Sequence, residues 1–341
     1  MNTINHLQQQ YDSLLQPSEP LIADITRLEG DILILGAGGK MGPALAKLAR
    51  TAVVKSGTKK RIIAVSRFSE TGLAEELRGA GIETIQADLL DEAQLQALPL
   101  VKNVLYLAGT KFGTTGNESH TWAMNSYLPG RMAEKYKESN IVAFSTGNVY
   151  PLTPIAMGGA TEAMAPEPLG EYAQSCLGRE RIFQYSSNKY GTPLLIYRLN
   201  YANDVTYGVL LELAKSVLAQ KPIDLQMGMV NIIWQGDANE IAIRSLLHCA
   251  NPAKILNVTG PEQLSVRWIA GQFGKLAGIA PVFANEEQPT ALLSNAAECV
   301  DLFGYPRVCP NQMIRLIYDW ITQGGKTIDK KTHFQERAGK F

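Results

Sequence analysis

An α/β fold, with a doubly wound parallel sheet and a smaller C-terminal α/β lobe, is predicted by three observations. Short apolar runs alternate with helical patterns up to about residue 200. The first of those runs ends in clustered glycines, "ILILGAGGKMG". Beyond it, longer amphipathic helices dominate, with short strands such as "KILNVTG" between them. Alternating strands and helices imply a parallel sheet covered on both faces.

Taken in order, residues 1–30 read as a helical extension. "MNTINHLQQQYDSLLQPSEP" has no apolar stretch of the kind a secretory leader carries, and residues 5–16 show loose helical spacing. That helix is expected to pack on the body or on a partner subunit. Residues 31–200 form the main domain. Its strands are "DILILG", "RIIAVSR", "IETIQADL", "VKNVLYLAG", "IVAFSTGNVY" and "PLLIYRLN", with helices such as "KMGPALAKLARTAVV" and "GLAEELRGAG" between them. Residues 201–325 are mainly a substrate-binding lobe from which the chain can cross back to the main sheet. Residues 326–341 are a polar tail, expected to be poorly ordered.

Charge and composition exclude several functions. Lys plus Arg and Asp plus Glu are both 32, so no global field attracts nucleic acid or an anionic membrane. No run of about 18 apolar residues occurs, so no membrane span is expected, and the expected location is cytoplasmic. Cys176, Cys249, Cys299 and Cys309 lack metal-ligand spacing and read as reduced thiols rather than a metal site.

The glycine cluster carries the first chemistry. A strand, a glycine turn and a helix start follow one another, with Gly36, Gly39 and Gly42 as the framework and Gly38, Lys40 and Met41 between them. Small residues let the backbone approach a pyrophosphate, and the helix N-terminus offers it free N–H groups. Cofactor choice turns on the end of the second strand, where "AVSRFS" supplies Ser66 and Arg67 and no acid. An arginine there can pair with a 2′-phosphate. NADP(H) is therefore expected, with NAD(H) as the alternative.

Further stretches follow in a fixed order: "QADL" with Asp88 and Leu89, "LYLAG" with Ala108 and Gly109, "MNSYLPG" with Asn125, "FSTGNVYP" with Thr146, and "YAQSCLGRE" with Tyr172 and Cys176. Together with the loop Gly-x-x-Gly-x-x-Gly, "ILNVTG" and "LFGYPRV", they resemble the extended short-chain dehydrogenases/reductases, the NAD(P)-dependent epimerases and dehydratases. The likeness runs from about residue 31 to 323.

The resemblance implies a Rossmann-type domain. Asp88 and Leu89 would hold the adenine ring, and Ala108 and Gly109 would run under the cofactor. Asn125 would support the active site. Tyr172 would be the acid/base, with Thr146 ordering the reacting oxygen, and a homodimer would form through the helices carrying Asn125 and Tyr172. The family's lysine, one turn after the tyrosine, is here Cys176, which is never positive. Ionising an ordinary phenol at pH 7 costs about 4 kcal/mol, so base-driven oxidation suffers most and ketone reduction less.

Cys176 is either an inert filler or a redox-sensitive thiol. Lys111 in "AGTKFGTTGN", just after the fourth strand, either supplies the missing cation or is a surface lysine on a glycine-rich loop. Asn148, Tyr150 and Asn200 are expected to line the substrate crevice. The family's Gly-Pro after the sixth strand is absent from "YRLNYANDVTYG". A sugar-like or polyol small molecule suits these polar and aromatic groups. Two functional classes follow: an oxidoreductase or epimerase, including one that retains its cofactor through turnover, or a silent NADP(H)-binding sensor.

Overall fold

The computed structural model describes residues 3–111, 113, 116–328 and 332–340. Helices α1 (Thr3–Leu14) and α2 (Glu19–Arg27) precede the sheet. Ser18 caps α2 by accepting from the Leu21 amide at 3.2 Å. The main domain then runs β1 (Ile32–Leu35), α3 (Gly42–Ser56), β2 (Ile62–Ser66), α4 (Leu73–Gly79), β3 (Glu83–Gln86), α5 (Glu92–Ala97) and β4 (Asn103–Tyr106). It continues with α6 (Glu118–Trp122), a π-helical turn Ala123–Tyr127, α7 (Leu128–Lys135), β5 (Asn140–Thr146), α8 (Gly170–Tyr190) and β6 (Leu194–Leu199).

These strands and β7 (Lys254–Val258) form one seven-stranded parallel sheet, ordered β3-β2-β1-β4-β5-β6-β7. Every residue of β1 is buried, as expected for a strand covered on both faces. Ile32 and Ile34 pack with α2 and α3, whereas Leu33 and Leu35 pack with Leu128, Met132 and Phe183 from α7 and α8. The edge strand β3, "ETIQ", is only half-buried. Strand order reverses between β1 and β4, and a crevice opens outside the carboxyl ends of the strands at such a point.

After β6 the chain enters the second lobe with α9 (Val209–Leu218), then returns through α10 (Gln235–Arg244), whose Ala238, Ile241 and Ile243 pack in the main core with α2 and α3. It crosses back to add β7, then continues through α11 (Val266–Ala277), α12 (Ala297–Phe303) and α13 (Pro310–Thr322). Leu210, Phe273, Ile317 and Trp234 form a separate core there. Helix α1 packs on this lobe. Leu7 is buried in its core, and the Tyr11 ring lies 6.0 Å from Trp234 and 5.5 Å from Trp320.

The expectation of a poorly ordered tail is corrected for the described residues. Phe334 is 1% exposed inside the second core, and Thr332 Oγ1 donates to Glu212 Oε2 at 2.8 Å. An aromatic anchor within an otherwise polar segment is not something composition alone reveals. Phe334→Ala is expected to cost about 3–5 kcal/mol, measured as a lower urea midpoint. An unchanged midpoint would show that the segment does not contribute to the core.

Candidate functional site

The turn after β1 is fixed by close approaches. Gly36 has φ 86°, and a Cβ there would lie 2.6 Å from the Ala108 nitrogen, so the neighbouring strand exit requires glycine. The Gly36 and Ala37 amides both donate to the Val65 carbonyl at 3.0 Å, tying the turn to β2. At Gly42 a Cβ would run into the Ala37 carbonyl. Gly39 differs: a Cβ there would meet nothing closer than the Gly36 carbonyl at 3.4 Å. It faces a cleft of about 830 Å³, which Gly36, Gly38, Lys40, Met41 and Gly42 also line. Helix α3 begins here, so its positive end opens on the cleft. Lys40 Nζ stands 3.3 Å from the Tyr207 ring centre on the facing lobe. The turn thus has the open wall, the helix terminus and the cation that a diphosphate requires.

Beside the turn, at the ends of β2 and β3, the expected residues do not line the cleft. Ser66 ends β2 against Gly38, and the Arg67 side chain is exposed. Asp88 shapes its own turn, its carboxylate accepting from the Leu90 amide at 3.0 Å, and Leu89 is buried. None of these four lines the cleft, but the carboxylate-bearing Glu70 does. Sequence reading found no acid at the end of the second strand because Glu70 lies beyond the terminus it considered.

The chemical end is built by β5 and the first turns of α8. Thr146 Oγ1 donates to Asn148 Oδ1 at 3.0 Å and accepts from the Asn148 amide at 3.2 Å. Tyr172 hydrogen-bonds Thr146 and Cys176, and burial pushes its phenol well above the ordinary range. Cys176 lies one turn further on, 1% exposed against Val149, Tyr150 and Ala160, and burial raises its thiol too. Both groups are therefore neutral at physiological pH.

Positive charge comes from elsewhere. Lys111 lines the cleft with Nζ 5.5 Å from the Tyr172 ring centre, and burial pulls its ammonium down to about 8. Arg179, two turns after Tyr172 on the same helix face, is 6% exposed. It donates through Nη2 to Asn125 Oδ1 at 2.7 Å and through Nη1 to the Phe144 carbonyl at 2.7 Å. Its guanidinium fills the space where Gly109 would otherwise carry a Cβ.

Asn125 is fully buried in the π-helical turn. It exchanges two hydrogen bonds with Thr110, each 2.8 Å, and donates to Ser175 Oγ at 3.0 Å. It therefore supports the site from behind, while Gly109 lines the cleft and Ala108 is buried beneath it. Sequence reading missed Arg179, although its seven-residue offset from Tyr172 was a usable signal.

Asn148 and Asn200 line the cleft, as do Tyr201, Tyr207, Ile328 and Thr332. Tyr150 does not line it, which corrects its expected place. Its hydroxyl accepts from Arg198 Nη1 at 2.6 Å and donates to Asn257 Oδ1 at 2.9 Å. Arg198 in turn grips Glu180 through two hydrogen bonds of 2.6 and 2.9 Å. Tyr150 therefore belongs to a buried ionic network behind the site. All four cysteines are free, and no group suited to a metal occurs among the described residues.

Known proteins share this architecture. UDP-glucuronic acid 4-epimerase from Bacillus cereus, in complex with NAD, superposes with a TM-score of 0.68 at 21% identity. UDP-glucose 4-epimerases from Thermus thermophilus, with NAD, and Thermotoga maritima, with UDP-glucose, each give 0.68, at 18% and 14% identity. Each alignment covers 86% of this chain and 99% of the other. At such identities the likeness is one of fold. No curated protein sequence matches the chain. The family signature, by contrast, spans residues 32–217, from β1 through the glycine turn, Thr146 and Tyr172 into the second lobe. With that match over more than half its length, the chain belongs to the NAD dependent epimerase/dehydratase family.

Proposed function

We propose that the protein binds a nicotinamide dinucleotide along the cleft and reduces a carbonyl of a sugar-like or polyol-related substrate. The observation that carries this reading is the Tyr172 phenol, hydrogen-bonded to Thr146 and held neutral by burial beside Lys111. When bound, the reduced dinucleotide supplies the hydride. Tyr172 holds the proton at its phenol oxygen and delivers it to the substrate oxygen as the C–O double bond becomes a single bond. Thr146 orders that oxygen, and the nearby Lys111 ammonium stabilises the negative charge left on the phenolate until solvent returns a proton. Arg179 is a positioning residue. It holds Asn125 and the β5 backbone that carries Thr146. Asn148 and Asn200, which line the cleft, are the residues this reading assigns to substrate hydroxyls.

For the cofactor, the exposed Arg67 beside Ser66 supports NADP(H), whereas Glu70 at the rim favours the unphosphorylated form. Exposed Trp122, Tyr127 and Tyr185, on the helices around Asn125 and on α8, support a homodimer through that face. No helix among the described residues is long and apolar enough to cross a membrane, and a cytoplasmic location is part of the proposal. The buried, uncharged Cys176 favours a second reading, a dinucleotide-binding protein without turnover.

Three measurements test this. Gly39→Ala is expected to keep its melting temperature and lose about tenfold in dinucleotide affinity, about 1.4 kcal/mol by calorimetry. Unchanged affinity would remove the glycine turn from the binding site. Carbonyl reduction by the wild-type protein is expected to be fast while Lys111 is charged and to fall as pH rises through about 8. Lys111→Gln is expected to show a uniformly low rate without that limb. A wild-type profile in the variant rules out the lysine, and silence of the wild type across carbonyl and polyol panels favours the second reading. Finally, Arg67→Ala is expected to weaken NADP binding about tenfold and leave NAD binding unchanged. Equal losses for both cofactors would remove the basis for the phosphate preference.

A further inference from the structure

Past Asn148 the space between the lobes is filled by the chain itself. Asn148 also borders a residual void of about 20 Å³, walled in addition by Tyr150, Leu169, Glu336, Arg337 and Gly339. A space of that size holds about one water.

Residues 332–340 are anchored along their length. Thr332 is bonded to Glu212, and Phe334 is buried in the second core. Arg337 Nη1 donates to the carbonyls of Gln226 at 2.9 Å and Thr290 at 2.8 Å, and Nη2 donates to Thr290 Oγ1 at 2.6 Å. Gly339 then lies directly on Gly170, where a Cβ on either glycine would run into the other's backbone or its neighbour's. That contact is two residues before Tyr172.

We propose that this C-terminal segment closes the substrate end of the cleft, so the substrate is a compact, unlinked sugar, polyol or sugar acid rather than a nucleotide diphosphate conjugate. The inference rests on the sugar-like reading above and narrows its substrate class. The electrostatics agree with the steric closure. The cations lining the cleft among the described residues, Lys40 and Lys111, stand at the glycine turn and beside Tyr172. At the void, Arg337 is committed to the protein's own carbonyls and hydroxyl, and Glu336 presents a carboxylate that repels a diphosphate.

The test uses the full chain with saturating dinucleotide, probed with UDP-glucose by calorimetry and with hydrogen exchange of the backbone amides. UDP-glucose is expected to give no saturable heat at millimolar concentration, and amides of residues 332–340 are expected to be protected. Arg337→Ala is expected to speed their exchange at least tenfold. Micromolar binding of UDP-glucose to the wild type, or exchange of this segment at unfolded-chain rates, overturns the proposal. A failure of the sugar-like reading looks different: no carbonyl or polyol binds or turns over, while the UDP-glucose and exchange results stand.

Discussion

The site depends on how α8 is clamped to the sheet by two consecutive buried charges. Arg179 reaches the β5 backbone at Phe144 and the Asn125 side chain, while Glu180 holds Arg198 of β6 and accepts from Ser145 of β5 at 2.5 Å. The residues that set the chemical geometry are tied to this pair. Thr146 follows Ser145, Tyr172 lies two turns earlier on the same helix, and Asn125 ties Thr110, in the loop after β4, to Arg179. The Glu180–Arg198 ion pair is buried on both sides and costly to desolvate, and removing one partner leaves an uncompensated charge costing about 3–5 kcal/mol. Its value here is positional: with the Arg179 bonds it fixes the register of α8 against β5 and β6.

The clamp also bears on how positive charge is distributed. A cation one turn after the tyrosine would sit where Cys176 now packs against Val149 and Ala160. The charges near the phenol instead approach from two directions: Lys111 from the loop after β4, and Arg179 from deeper along α8. The arginine is fixed by its hydrogen bonds and stays charged. The lysine is the group whose charge changes near physiological pH. The division gives a phenol that remains protonated, with a nearby charge that varies, an arrangement better suited to delivering a proton than to removing one.

Much of this was legible in the sequence, for physical reasons that differ by element. The strands were readable because parallel strands buried on both faces leave unbroken apolar runs, as in "ILIL". The glycine turn was readable because backbone crowding at Gly36 and Gly42 tolerates no side chain. Lys111 could be nominated because loops at the carboxyl edge of such a sheet border its crevice. Tyr150 was misplaced because an aromatic after a strand looks the same whether its hydroxyl meets a ligand or a buried arginine. Glu70 escaped because it lies past the end of the second strand, and the C-terminal segment because its anchors depend on contacts between distant parts of the chain. Composition could not show that Phe334 is buried in the second core, or that Arg337 reaches backbone more than a hundred positions away.

The π-helical turn at Ala123–Tyr127 also constrains the protein's sequence evolution. A π turn inserts one residue into a helix, which rotates everything beyond it by about 100° relative to an uninterrupted α-helix. Asn125 lies within this turn and is fully buried, while Tyr127 at its end is 62% exposed. Losing a single residue within Ala123–Tyr127 would restore regular winding and shift the Asn125 amide relative to Thr110 and Arg179. Length in this stretch is therefore under tighter constraint than composition, and a one-codon deletion there should be far less tolerated than most point changes.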